Sequence, residues 1–278
     1  MSSAIDPWIR SVCAARDDHR LPVRAGSAAG EFVANALAVL FPHFAPQRRC
    51  DPSSVRAELF RLQESLRYFM VGAGHGDDAA AAAESFIDRL PGIQALLTID
   101  ATATYEADPA ASSVDEVVLA YPGFYALACH RFAHELWTLR VPLLPRLISE
   151  TAHRTTGIDI HPGATLGQAI AIDHGTGIVI GETTVIGDRV RLYQGVTLGA
   201  LSVVKAMAQT RRHPTVEHDV VVYAHATILG GDTVVGHSSV IGGNVWLTHS
   251  VPPHSVVTNA AVSERHTLET EPPLDVRL

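Results

Sequence analysis

The sequence predicts an α+β chain: an N-terminal α-helical domain followed by a left-handed parallel β-helix of hexapeptide repeats. Three observations carry this. The first is a ladder of aliphatic residues six positions apart: Ile160, Leu166, Ile172 and Ile178, then after a two-residue shift Ile180, Ile186, Leu192 and Leu198. It returns as Val216, Val222 and Ile228, slips by one, and continues as Val235, Ile241 and Leu247. Neither a period of 3.6 nor a period of 2 fits, whereas a hexad does. Three hexads make one triangular coil, aliphatics inside, rising about 4.8 Å per coil. Small or β-branched residues such as Ala164, Thr176, Val190 and Val196 stand two positions before the aliphatic. Glycines often follow it (Gly167, Gly181, Gly187, Gly199, Gly236, Gly242) and are expected to ease the corners. The second observation is helical spacing of apolar residues ahead of the ladder. The third is a shift in composition, because glycine and β-branched residues become dense only after Thr155. A valine-rich sandwich with coincidental spacing is the competing reading.

Residues 1–154 form the expected helical domain. Apolar residues recur at helical spacing in 30–44 and 54–70, and the alanine-rich 78–90 is expected to stop at Pro91-Gly92. The pattern continues over 115–119 and 125–139, and Pro142 and Pro145 flank a last segment leading into the ladder. Residues 155–255 form the β-helix. Its one stretch without hexad register, 199–213, reads as an excursion loop at a corner. The tail, 256–278, is polar with two prolines and reads as irregular. Long flat faces on such a solenoid imply pairing with copies of itself, and a trimer is expected.

Composition narrows the function. A formal charge of −8 and a pI of about 6.0 argue against a nucleic-acid surface. No apolar run approaches the ~18 residues of a membrane span. Met1–Arg10 shows no cationic segment leading into an apolar one, so a cytoplasmic setting is expected. Cys13, Cys50 and Cys129 are scattered, with neither a disulfide framework nor metal-ligand spacing.

Several residues could carry chemistry. Nine of the fifteen histidines fall between His153 and His254, which leaves a three-histidine zinc site open. Yet His218, His225, His237 and His249 match corner or surface positions. Asp173-His174 follows Ile172 on a turn, and Asp159 lies fifteen residues earlier, nearly one rung below. A carboxylate there fixes one imidazole tautomer, as a general base for a hydroxyl requires. The same residues also read as corner residues bonding local backbone. Arg212-His213-Pro214 stands where the excursion loop rejoins the ladder, with a forked donor suited to a carboxylate. Asp108-Pro109-Ala110 reads as a turn between helices.

Three stretches together resemble the serine O-acetyltransferases: DIHPGATLGQAIAIDHGTGIVIGET (159–183), QGVTLGA (194–200) and RHP (212–214). Upstream, DPAA (108–111) and GFYALACHRFAHELW (123–137) are similar to that family's helical domain in order and spacing. The resemblance spans about residues 95–255. It implies transfer of acetyl from acetyl-CoA to the hydroxyl of L-serine, with acetyl-CoA as co-substrate and no tightly bound cofactor or metal. L-cysteine is implied as a feedback inhibitor. His174 becomes the general base and Asp159 its dyad partner. Asp108 and Asp173 become the carboxylates for the substrate ammonium, and Arg212 the clamp on its carboxylate. His213 becomes a substrate-contacting catalytic histidine and Glu182 a further acidic residue of the site. Gly199 and Ala224 match positions along the CoA path. Lys205, the chain's one lysine, sits in the excursion loop where CoA phosphates could lie.

The chain also departs from the pattern. Its excursion loop is long, with Ala200 where a second glycine is common. The family's partner O-acetylserine sulfhydrylase binds a C-terminal isoleucine, whereas this chain ends in Val276-Arg277-Leu278. Trimers, or hexamers joined through the helical domain, are the assemblies implied. The alternatives are another hexapeptide acyltransferase with a sugar, homoserine or antibiotic acceptor, a trimeric zinc hydratase, and a non-catalytic scaffold.

Overall fold

Residues 5–19, 25–45, 51–202 and 210–259 are described by the computed structural model. Cys50, Lys205 and the C-terminal Val276–Leu278 therefore lie outside the described residues. Seven α-helices come first among those described: α1 (Asp6–Asp17), α2 (Ala25–Leu40), α3 (Pro52–Gly72), α4 (Gly76–Ala107), α5 (Val114–Ala120), α6 (Pro122–Thr138) and α7 (Leu144–Thr156). Their ends follow local chemistry. The Asp51 carboxylate accepts from the Ser53 and Ser54 amides ahead of Pro52, and the Ser113 hydroxyl accepts from the Glu116 amide. Gly157, in the left-handed region at φ 74°, closes α7.

One helix overrides its sequence signal. α4 passes through Pro91-Gly92, where the sequence predicts a stop. An interior proline costs about 3 kcal/mol. The apolar stripe nevertheless continues beyond it as buried Ile93, Leu97 and Ala101. Burying an isoleucine or a leucine returns about 1.5–3 kcal/mol each, which outweighs the break.

Fourteen short strands follow among the described residues, wound into a left-handed parallel β-helix with three faces. Face 1 stacks β1 (Asp159–Ile160), β4 (Val179–Ile180), β7 (Thr197–Gly199), β10 (Thr227–Leu229) and β13 (Trp246–Leu247). Face 2 stacks β2 (Thr165–Leu166), β5 (Val185–Ile186), β8 (Thr215–Val216) and β11 (Val234–Val235). Face 3 stacks β3 (Ala171–Asp173), β6 (Arg191–Tyr193), β9 (Val221–Val222), β12 (Val240–Ile241) and β14 (Val256–Val257). The last of these lies within the segment the sequence assigns to the irregular tail, because Val256 and Val257 pair with Val240 and Ile241. The ladder aliphatics line the interior: Ile160, Ile180, Leu198 and Ile228 on face 1, and Ile172, Leu192, Val222 and Ile241 on face 3.

Two features of the solenoid differ from the sequence reading. The glycines after the aliphatics do not turn the corners, since none of the six has a positive φ. Left-handed corner positions hold mostly other residues: Ala169, Arg189, Asp219 and Ser238 on the 2/3 edge, and His225 and Asn244 on the 3/1 edge. The glycines instead let rungs stack closely. A Cβ on Gly167 would stand 2.8 Å from the Gly187 carbonyl carbon.

The second feature is the two-residue shift. Ile178 is not a face residue but lines the corner beside Ile158, one rung away. The first coil is accordingly twenty residues long, pairing Asp159 with Val179, whereas the next takes eighteen, pairing Val179 with Thr197. The surplus bulges at the 3/1 edge as His174 and Gly175, both at positive φ (56° and 79°).

The helices join the solenoid at its first coil. The Asp100 side chain on α4 is fully buried, and its Oδ2 accepts from Arg131 Nε of α6 at 2.6 Å. Asp100 Oδ1 accepts from the Ile170 amide at 2.9 Å, and Arg131 Nη2 donates to the Gly167 carbonyl at 2.8 Å. Burial pushes the Asp100 carboxyl upward, opposed by Arg131 and the backbone amides. Cys129 is buried in α6, its thiol pushed up to about 12 by burial, while Cys13 is exposed; both are free. No helix among the described residues is long and apolar enough to cross a membrane.

Removing one partner of a buried ion pair leaves an uncompensated charge, so Asp100→Ala is expected to destabilise the fold by about 3–5 kcal/mol. Asp100→Leu combined with Arg131→Met is expected to recover most of that loss. Urea midpoints of the two variants check this, and equal midpoints would contradict it.

Candidate active site

The bulge after β3 sets the first group of residues. His174 leaves the solenoid there, its side chain 72% exposed, with Nδ1 3.9 Å from Asp173 Oδ1. That distance exceeds a hydrogen bond. Asp108 comes to the same edge from the C-terminus of α4. Its Oδ2 accepts from the Tyr121 hydroxyl at 2.5 Å and its Oδ1 from the Ala110 amide at 2.8 Å. The Tyr121 bond, the Ala110 amide and the nearby His174 hold the Asp108 carboxyl below its usual range. The same bond, with burial and the charge of Asp108, pushes Tyr121 up to about 12. α6 reaches this edge because Gly123 lies against β3: a Cβ there would stand 2.3 Å from the Ile172 carbonyl oxygen. Asp159 is the first residue of face 1 and pairs with Val179, five residues beyond His174. It therefore sits beside this edge, but no hydrogen bond or ion pair joins it to His174 among the described residues.

The second group sits at the 1/2 edge. Thr183 organises it. Its hydroxyl oxygen accepts from the backbone amides of Arg212 (2.9 Å) and His213 (3.1 Å), which returns the excursion loop to the solenoid. His213 Nδ1 accepts from the Thr183 amide at 3.1 Å and lies 2.9 Å from the Thr183 hydroxyl. With Nδ1 an acceptor, the proton of neutral His213 belongs on Nε2. Burial, assisted by Arg212, lowers its pKa and keeps it neutral. Its ring packs over Gly181, where a Cβ would stand 2.0 Å from the ring. The Arg212 guanidinium donates to Glu182 Oε2 in a half-buried pair. His161, one rung below, packs edge-on against Trp137 and accepts the Gly163 amide at Nδ1. Burial and then Arg146 lower its pKa to about 4.

The residues singled out in the sequence thus fall into two groups on opposite edges of face 1. Asp108, Asp173, His174 and, beside them, Asp159 lie at the 3/1 edge. Glu182, Arg212 and His213 lie at the 1/2 edge. Ala224 belongs to the first edge and Gly199 borders the second. The width of face 1 sets the two groups apart, about 10 Å of strand from Val179, the partner of Asp159, to Glu182, and more from His174. Two clefts among the described residues lie elsewhere: one of ≈ 340 Å³ between α4 and face 3, and one of ≈ 380 Å³ between α2 and α3. No three ligand-type side chains converge as a metal set among the described residues. His218 and His237 stack instead, with centroids 4.9 Å apart, and His254 packs edge-on against His237 at 4.8 Å. Tyr121, Thr183 and His161 were not singled out by sequence reasoning. Each acts through a partner on another element, and only the DIHP and GET runs hint at two of them.

No family model matches the chain. It is 52% identical over 192 residues to a plasmid-encoded serine acetyltransferase of Synechococcus elongatus, covering 66% of this chain and 59% of that relative. The chain thus spans less than two thirds of that relative's length. It is similar to the structure of serine acetyltransferase isoform 3 from Entamoeba histolytica in complex with cysteine. There the TM-score is 0.79 and the identity 33%, over 86% of this chain and 84% of that one. A serine acetyltransferase structure in complex with CoA has a TM-score of 0.58 and 28% identity, covering 84% and 97%.

Gly181→Ala is expected to push the His213 ring off its seat. The solvated ring regains the hydration that burial removed, so its pKa rises toward the ordinary histidine value near 6.5. An NMR titration of the histidine ring protons checks this; a His213 pKa left depressed would contradict the packing account.

Proposed function

The chain belongs to the serine acetyltransferase family, and on that premise we propose that it transfers the acetyl group of acetyl-CoA to the hydroxyl of L-serine, giving O-acetylserine and CoA. The observation that carries this reading is the division of charge between the two edges. Asp108 and Asp173 offer anions on one edge, and Arg212 offers a cation on the other. A zwitterionic amino acid held between them has its hydroxyl aligned for attack.

The 3/1 edge of one copy faces the 1/2 edge of a neighbour around a threefold axis, and a trimer supplies three such clefts. Asp108 and Asp173 bind the serine ammonium. Arg212, held by Glu182, grips the serine carboxylate with its fork of donors. His174 removes the hydroxyl proton as the serine oxygen attacks the thioester carbonyl, and Asp159 steadies the imidazolium that forms. The tetrahedral intermediate collapses, the carbon–sulfur bond breaks, and the CoA thiolate recovers the proton from His174. Neutral His213 offers Nε2–H to the developing oxyanion. CoA runs along the cleft past Gly199 of one copy and Ala224 of the other, as a diffusing co-substrate. L-cysteine differs from serine by sulfur in place of oxygen, so the same charges hold it as a feedback inhibitor. As an acidic chain acting on acetyl-CoA and L-serine, it works in the cytoplasm.

Two outcomes follow. Thiol release from acetyl-CoA is expected with L-serine and not with D-serine, L-homoserine or a hexose; release with the hexose alone would overturn the acceptor. Separately, His174→Ala and Arg212→Ala chains are each expected to lose at least ~10² in turnover with L-serine. Co-expressed one to one, they are expected to regain about one quarter of wild-type activity, because one cleft in four draws both of its groups intact. No recovery in the mixed assembly would argue for a site within one chain.

A further inference from the structure

We propose that Tyr121 is a positioning residue for amino-group recognition: its hydroxyl fixes the Asp108 carboxylate, which the reading above places on the substrate ammonium. The bond is short, 2.5 Å from the phenol oxygen to Asp108 Oδ2, and the other carboxylate oxygen accepts the Ala110 amide at 2.8 Å. Both oxygens are therefore held, so the carboxylate cannot rotate, yet each keeps a second lone pair for an incoming cation.

The surroundings make such a hold necessary. Asp108 shares this edge with Asp173, and Glu116 is close enough to feel its charge. Without a restraint Asp108 would turn away from these anions, and from the point where it and Asp173 must converge on one ammonium. An arginine or lysine in place of the tyrosine would restrain Asp108 but cancel its charge. A phenol donates while remaining neutral, and the rise of Tyr121 to about 12 keeps it so at any working pH.

The phenol is itself rigidly placed. Tyr121 stands immediately before α6 with an extended backbone (ψ 122°), followed by Pro122. Two residues on, Gly123 lies against the Ile172 carbonyl, one residue from Asp173. Tyr121 thus links both carboxylates to one frame: Asp108 by its hydroxyl, and Asp173 by the contact of its helix with β3. Thirteen residues separate Tyr121 from Asp108, and no sequence motif joins them.

Steady-state kinetics of the full-length Tyr121→Phe, Asp108→Asn and double variants test this. Phenylalanine keeps the ring and its packing, and thermal melting verifies folding. Tyr121→Phe is expected to raise the L-serine KM about tenfold, with kcat and the acetyl-CoA KM within about twofold, as befits one charge-assisted bond. The Ki of 3-hydroxypropionate, which is serine without its amine, is expected to stay unchanged. In the Asp108→Asn background the tyrosine change is expected to add nothing further. A normal serine KM in Tyr121→Phe, alongside a raised one in Asp108→Asn, would overturn the positioning role alone. A normal serine KM in Asp108→Asn would instead overturn the assignment of Asp108 on which it rests. Equal losses for L-serine, acetyl-CoA and 3-hydroxypropionate would mark a purely structural tyrosine and also overturn the proposal. If Tyr121→Phe melts early, Tyr121→His, which keeps a donor at this position, is expected to retain serine affinity better than Tyr121→Leu; equal affinities would overturn it.

Discussion

The buried pair of Asp100 and Arg131 is the interaction on which the rest of the molecule depends. A solenoid coil and a helical bundle have no common periodicity, so flat apolar packing alone gives them no fixed register. Asp100 and Arg131 supply it by bonding to specific backbone groups of the first coil, the Ile170 amide and the Gly167 carbonyl. Such a pair adds little net stability against apolar residues of the same volume. Its value is directional. It fixes α4 and α6 over β3, which brings Asp108 and Tyr121 to the edge where Asp173 and His174 emerge.

Much of the architecture was legible because the solenoid interior imposes a strict period. The hexad ladder located every face, and even its irregularities were informative. The slip after Ile178 marks the longer first coil, and with it the bulge that exposes His174. What the period could not convey were relations between elements. α4 runs through Pro91-Gly92 because burial beyond the break outweighs a local penalty, and local punctuation carries no trace of that. The corner glycines were visible but misread, because close stacking of rungs and left-handed turning both favour glycine.

The candidate site shows the same division. Its charged members stand in contiguous runs and could be picked out. The groups that orient them could not. Thr183 gathers the loop end and the His213 ring through four contacts, from a position that reads as one more threonine in a β-rich stretch. Glu182 reads as an acidic residue of the site, whereas its contact is with the Arg212 guanidinium. At both edges an uncharged hydroxyl, Tyr121 or Thr183, sets the geometry of a titratable group, the Asp108 carboxylate or the His213 ring.

Among the described residues the coil stack has one clamped end and one open end, and that asymmetry has a dynamic consequence. α4, α6 and α7 rest on β1 and β3, while at the far end Trp246 and Val256 are largely exposed. In a quasi-one-dimensional array each rung leans only on its neighbours, so opening starts where a neighbour is missing. Amide exchange should therefore grade along the axis, fastest near Val256–Val257 and slowest around Ile170. The residues gathered at His174 and Asp108 lie at the slow end. Fraying, heat or proteolysis would erode the outer rungs first and leave the coil that carries Asp173 and His174 standing, much as a zip held at its base opens from the top.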